Sequence, residues 1–66
     1  MSTYRIECEV TEITDYKTRW KTEYKELNTD EDAHDLAYTL ADKGYYRIYK
    51  KVDNNSLKKY HWEKIT

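Results

Sequence analysis

Proline and phenylalanine are absent from this sequence, glycine occurs once, at Gly44, and cysteine once, at Cys8. Without Pro and with a single Gly there is little room for long irregular loops, flexible linkers or glycine-rich phosphate cradles, so nearly all of the chain is expected in regular structure. A lone cysteine excludes an intramolecular disulfide, and with no apolar run at the N-terminus the chain reads as intracellular and cytoplasmic. No stretch approaches the roughly 18 apolar residues that a membrane span needs, and the mean hydropathy is strongly negative. A soluble protein with no membrane partner is therefore expected. An excess of either charge is also missing: 12 basic residues face 13 acidic ones, so no global field attracts nucleic acid or mimics it. Electrostatic recognition must be local. A chain of 66 residues makes one domain, 1–66, and buries only about 60% of the surface its unfolded form exposes, which leaves little stability to support a strained catalytic site.

Aromatic residues are plentiful, with eight Tyr and two Trp, and most lie beside Lys, Arg or Glu. Tyr and Trp combine a large apolar body with a polar tip, tolerate partial exposure and are enriched at contact surfaces. From Tyr4 to Val10 the residues alternate strictly, with Tyr4, Ile6, Cys8 and Val10 on one side and Arg5, Glu7 and Glu9 on the other, the pattern of a half-buried strand. A second alternating run sets Trp20, Thr22 and Tyr24 against Arg19, Lys21, Glu23 and Lys25. A hairpin over 4–27 with a loop at Thr14 to Tyr16 pairs Val10 with Trp20, Cys8 with Thr22 and Ile6 with Tyr24, and places Glu9 opposite Lys21 on the outer face.

The region 29–43 predicts a helix: Thr29 is a good N-cap, Asp30, Glu31 and Asp32 load the first turn with negative charge, Lys43 sits at the other end and Gly44 closes it. Its apolar positions, Ala33, Leu36, Ala37, Leu40 and Ala41, share one face, and the alanines let the helix lie close on a sheet. A second hairpin follows over 45–65, turning at Asn54 and Asn55. A two-residue loop pairs Val52 with Leu57, Ile48 with His61, Tyr49 with Tyr60 and Arg47 with Trp62; a three-residue loop would put Trp62 beside Ile48. The first keeps Val52, Leu57 and Ile48 together, at the cost of pairing Lys50 with Lys59. The fold class is α+β, in the order ββαββ: a four-stranded antiparallel sheet with one helix packed on one face.

One helix leaves the opposite sheet face open. On the first hairpin that face reads as charged residues in cross-strand ion pairs. On the second it reads Tyr45, Arg47, Tyr49, Lys51, Lys58, Tyr60, Trp62 and Lys64, aromatics interleaved with cations. The bland reading, a local Arg47–Trp62 cation–π pair worth about 0.5–1 kcal/mol, stands beside the reading that contiguous exposed aromatic area marks a binding surface. Tyr45, Arg47, Tyr49, Lys51, Lys58, Tyr60 and Trp62 are the candidate site. The expected partner is another protein, a second copy of the chain included, anchored on Tyr49, Tyr60 and Trp62. The runner-up is a small nucleotide or single-stranded nucleic acid, stacked on the same rings with its phosphates on Arg47, Lys51 and Lys58. Asp32, Asp35 and Asp42 form a secondary, acidic surface on the helix.

No metal or cofactor is expected. Cys8, His34 and His61 fall on three different elements without finger-like spacing, and their ordinary roles are core residue, helix flank and sheet residue. Cys8 lies mid-strand on the buried face, where a thiol behaves as a small hydrophobe, and helix-dipole compensation explains the acids at the helix start without acid–base chemistry. The chain is not expected to be an enzyme. Its small size, lack of Pro, richness in Tyr, Lys and Glu and lack of a catalytic motif resemble the small accessory proteins of bacteriophages and mobile elements. That resemblance implies a viral inhibitor or modulator of a host protein, such as a defence component.

Overall fold

A computed structural model describes residues 1–54 and 59–66. Strands β1 (Ser2–Thr11) and β2 (Thr18–Leu27) are followed by helix α1 (Asp30–Leu40) and strands β3 (Tyr46–Asn54) and β4 (Lys59–Lys64). The four strands form one antiparallel sheet in the order β2-β1-β3-β4. The expected ββαββ architecture is what the chain adopts, and the two central strands meet at Ile6 opposite Ile48.

The helix lies on the face that carries Tyr4, Ile6 and Cys8 from β1 and Ile48 from β3. Ala33, Ala37 and Ala41 are buried against these residues, while Leu27, Leu36, Leu40, Tyr46 and Ile65 pack around them. Burial of Ile6 and Ile48 is complete, so each contributes about 1.5–3 kcal/mol of transfer free energy. Thr29 caps the helix, its hydroxyl accepting from the Asp32 amide at 3.0 Å, and Asp30, Glu31 and Asp32 fill the first turn as the pattern predicts. At its other end the helix stops earlier than expected. It ends at Leu40 with an extended Ala41 as C-cap and no basic residue in its last turn. The chain is drawn away by β1: the Asp42 amide donates to the Glu9 carbonyl at 3.3 Å, and the Asp42 carboxylate accepts from the Thr11 amide at 2.8 Å. Gly44, at φ 78°, belongs to the turn that follows, its amide pointing to the Ala41 carbonyl at 3.4 Å.

Both hairpin registers differ from expectation. In the first, Glu12 and Lys17 close the loop, with the Glu12 amide donating to Lys17 and the Tyr16 amide to Glu12, each at 2.9 Å. The loop is therefore one residue longer than the expected Thr14 to Tyr16. Cys8 pairs with Lys21, Glu9 with Trp20 and Arg5 with Tyr24. A one-residue slip turns every β2 side chain over: Trp20, Thr22 and Tyr24 lie on the open face, while Arg19, Lys21, Glu23 and Lys25 lie on the helix side. Charged residues are tolerated there because β2 is an edge strand and long side chains reach past the helix to water.

In the second hairpin, Tyr49 pairs with Lys64, Lys51 with Trp62, Val52 with His61 and Asp53 with Tyr60. The shift from the expected register is even, so each residue keeps its face. Lys50 pairs with Glu63 instead of Lys59, and its amine lies 3.4 Å from Asp30 on the helix, which removes the like-charge pair. Asn54, expected in a two-residue turn, instead ends β3 opposite Lys59, while Asn55 and the core role of Leu57 lie outside the described residues.

Only Tyr4–Cys8 of β1 pairs with β3, along Tyr46–Lys50, so the two hairpins overhang the helix at opposite ends. The molecule measures 48 × 20 × 16 Å. No helix among the described residues is long and apolar enough to cross a membrane.

Candidate functional site: the open face of the sheet

The sheet face opposite the helix carries Arg5, Glu7 and Glu9 from β1, Trp20, Thr22 and Tyr24 from β2, Arg47, Tyr49 and Lys51 from β3, and Tyr60, Trp62 and Lys64 from β4. Aromatic residues thus come from both hairpins. At the centre, Glu7 lies between two guanidinium groups, its Oε2 3.4 Å from Arg5 Nε and its Oε1 3.1 Å from Arg47 Nε. Both Nε atoms are buried without a hydrogen-bond acceptor in line. These pairs are therefore close charge contacts in which the N–H groups are not aimed at the carboxylate.

Aromatic rings cover this charged centre. The Arg5 guanidinium stacks 4.2 Å from the centre of the Tyr49 ring and 5.1 Å from that of Trp62. Arg47 stacks on Trp20 at 4.1 Å and the Lys51 amine on Tyr60 at 4.3 Å. Tyr24 and Trp62, one from each edge strand, meet across the two central strands at 5.9 Å, and Tyr60 meets Trp62 edge-on at 6.2 Å. Each cation–π contact contributes about 0.5–2 kcal/mol, more as it is desolvated. Together they hold the rings in place although no second layer of structure covers this face. The rings are still open to solvent: Trp20 is 45% exposed, Tyr60 57% and Tyr24 61%.

Of the seven residues proposed as the site, Arg47, Tyr49, Lys51, Tyr60 and Trp62 fall on this face. Tyr45 precedes β3 and is exposed, its carbonyl accepting from the Glu9 amide at 3.1 Å. Lys58 lies outside the described residues. The expected Arg47–Trp62 pair does not form, because the register sets Lys51 opposite Trp62 and gives Arg47 to Trp20. Sequence reasoning placed Arg5 and Glu7 on the open face but outside the site, and turned Trp20 and Tyr24 toward the helix. The signal for Trp20 and Tyr24 was present in the Trp20-Thr22-Tyr24 alternation, which is as aromatic as Tyr60 and Trp62 on β4, but the slipped register hid which side it faced.

On the helix, Asp32 and Asp35 are exposed, whereas Asp42 lies beyond the helix and is bound to the Thr11 amide. The acidic helix face therefore lacks Asp42. Tyr4 donates its hydroxyl to the Asp30 carboxylate. Burial, reinforced by that carboxylate, pushes the Tyr4 phenol from 10.0 up to about 12, while the hydroxyl lowers the Asp30 carboxyl below its ordinary range. This cluster ties the helix start to the sheet.

Cys8 is buried with its Sγ 3.8 Å from the Ala37 carbonyl, and burial raises its thiol pKa. A cavity of about 60 Å³ beside it is lined by Cys8, Val10, Lys21, Glu23 and Leu40, about the size for one or two waters. His34 approaches the Tyr46 hydroxyl at 3.4 Å, and His61 lies 3.1 Å from Glu63 on its own strand. His34 on the helix flank thus contacts β3, and His61 sits opposite Val52. Among the described residues, no three His, Cys, Asp or Glu side chains come together as a metal site would require. Compared with known proteins, the chain matches no family model, no curated protein and no solved structure.

Proposed function

We propose that this protein is a small non-catalytic interaction module that binds another protein through the open face of its sheet. The observation that carries this reading is the meeting of Tyr24 and Trp62 over Arg5, which fixes exposed rings before any partner arrives. Fixed aromatic anchors lose little conformational entropy on binding, and such residues dominate the energetics of protein contacts. The size and composition of the chain add the second part of the proposal. It is an accessory protein of the bacteriophage type that acts in the host cytoplasm, inhibiting or redirecting a host factor such as a defence component. Asp32 and Asp35 on the helix offer a second, acidic contact.

The nucleotide reading draws less support from the face. Arg5 and Arg47 are directed at rings and at Glu7, which leaves Lys51 and Lys64 as the cations of this face, among the described residues, that no carboxylate holds. Affinity capture from host extract, compared between the parent chain and the Tyr24→Ala and Tyr60→Ala variants, tests the proposal. The expected result is a host protein retained by the parent and lost from both variants, with the Asp35→Lys variant unchanged. Equal capture by all four chains would refute a role for the face. Salt-sensitive binding of a single-stranded oligonucleotide by the parent, lost on Arg47→Ala substitution, would establish the nucleic-acid reading instead.

A further inference from the structure

The fold leaves more surface in water than a chain of this size ordinarily does. Its accessible surface is 5107 Å², whereas a compact monomer of 8.1 kDa exposes about 4,500 Å². Its radius of gyration is 13.5 Å, against about 10.8 Å for a compact domain of this length. Among the described residues, the buried core comprises seven, three of them alanine. A partner on the open face would correct both the excess surface and the thin core. A stable interface covers about 800 Å² on each partner, and the open face runs along both hairpins of a molecule 48 Å long and 20 Å wide.

The charge pattern along the face indicates which partner fits. The sheet is centred on the Ile6–Ile48 pair. Three residues from this centre, β1 carries Glu9 toward the tip of the first hairpin. Three residues from it in the opposite direction, β3 carries Lys51 toward the tip of the second. Among the described residues, Glu9 has no ion-pair partner, and neither has Lys51, whose amine lies on the Tyr60 ring. Between them, Glu7 offsets one of the two charges of Arg5 and Arg47, and both guanidiniums lie against the rings of Tyr49, Trp62 and Trp20, so the middle of the face carries a net charge of +1 set against aromatic surface. Turning one copy end for end over another lays Glu9 of each on Lys51 of the other and brings the Trp20 end of one over the Tyr60 and Trp62 end of its mate.

On the reading of this face as a contact surface, we infer that its occupant is a second copy of the chain, packed face to face and end for end about a two-fold axis. Two-fold dimers are the commonest homo-oligomers and place the same self-complementary patch of both copies in contact. Both helices then point outward, and a host protein that docks on the open face competes with this self-association.

Sedimentation velocity of the unmodified chain, from low micromolar to millimolar concentration, tests the inference directly, and a charge swap tests its geometry. The dimer mass is expected for the parent. E9K and K51E, checked for folding by circular dichroism, each place like charges together at two symmetry-related points and should weaken self-association about tenfold or more. An equimolar mixture of the two variants restores opposite charges at both points and should recover the dimer. A parent dimer that both variants form equally well would overturn the face-to-face geometry. A monomer at every concentration would overturn the dimer, and the Tyr24→Ala and Trp62→Ala variants then separate the two failures. If they are as stable as the parent, the face remains available to a different protein; if they unfold, the rings serve only the chain itself and the contact-surface reading fails as well.

Discussion

Replacing Tyr4 by Phe should remove a pH dependence that belongs to this one buried phenol. Its pKa stands at about 12 against an ordinary 10.0, through burial first and the Asp30 carboxylate second. A group whose pKa is raised on folding stabilises the fold fully below its unfolded pKa and loses that contribution as pH climbs toward the folded value. The window is therefore pH 10 to 12. Two units correspond to about 2.7 kcal/mol, but the Asp30 side chain is 51% exposed, and solvent screening reduces the effect to about 1–2 kcal/mol. Urea unfolding at fixed protein concentration, followed by the fluorescence of Trp20 and Trp62, measures it. The parent should lose about 1–2 kcal/mol more than Tyr4→Phe across this interval, other titrations being common to both chains. At the acid end the order of events reverses. The Asp30 pKa is depressed, so its contribution is present above the ordinary carboxylate range and fades as pH falls through the folded value; the variant, lacking the hydroxyl, should fade less. Parallel stability curves for the two chains from neutral pH to pH 12 would refute the assignment of this linkage to Tyr4.

Tyr16 adopts φ 56° with its ring 82% exposed, a conformation that costs a side-chain-bearing residue about 1–2 kcal/mol. Tyr16→Gly should therefore raise the unfolding free energy by up to about 1 kcal/mol, the added freedom of glycine in the unfolded chain taking back part of the gain. A lowered value would show that the exposed ring has a stabilising contact. Thr29→Ala removes the bond to the Asp32 amide and should cost about 1 kcal/mol, with Thr29→Ser close to the parent in the same urea assay.

The elements were legible because each announces a period: Tyr4, Ile6 and Cys8 alternate with charges, and Ala33, Leu36, Ala37 and Leu40 repeat as a helical face. Pairing was less legible. Strand β2 offers two faces, Trp20, Thr22 and Tyr24 or Arg19, Lys21, Glu23 and Lys25, and as an edge strand it buries neither deeply, so the hydrophobic pattern does not fix the register. The decision falls to the turn, where Tyr16 takes a left-handed conformation that Gly or Asn would have signalled. The second hairpin kept its faces because its shift was even, which is why Arg47, Tyr49, Lys51, Tyr60 and Trp62 were found while Trp20 and Tyr24 were not. Helix length was misjudged for a different reason: the bonds from Asp42 to Glu9 and Thr11 join segments far apart in sequence and leave no local trace.

The sheet order also sets the route by which the chain assembles. Each hairpin joins neighbouring segments and can form within microseconds, but alone it is marginal in water. Only the antiparallel pairing of β1 with β3, which joins Ile6 to Ile48 from opposite ends of the chain, links them and traps the helix against the sheet. That closure carries most of the loop entropy and places the kinetic barrier at the centre of the sheet. Lesions at Ile6 or Ile48 therefore slow folding, whereas lesions at the tips of the hairpins mainly hasten unfolding.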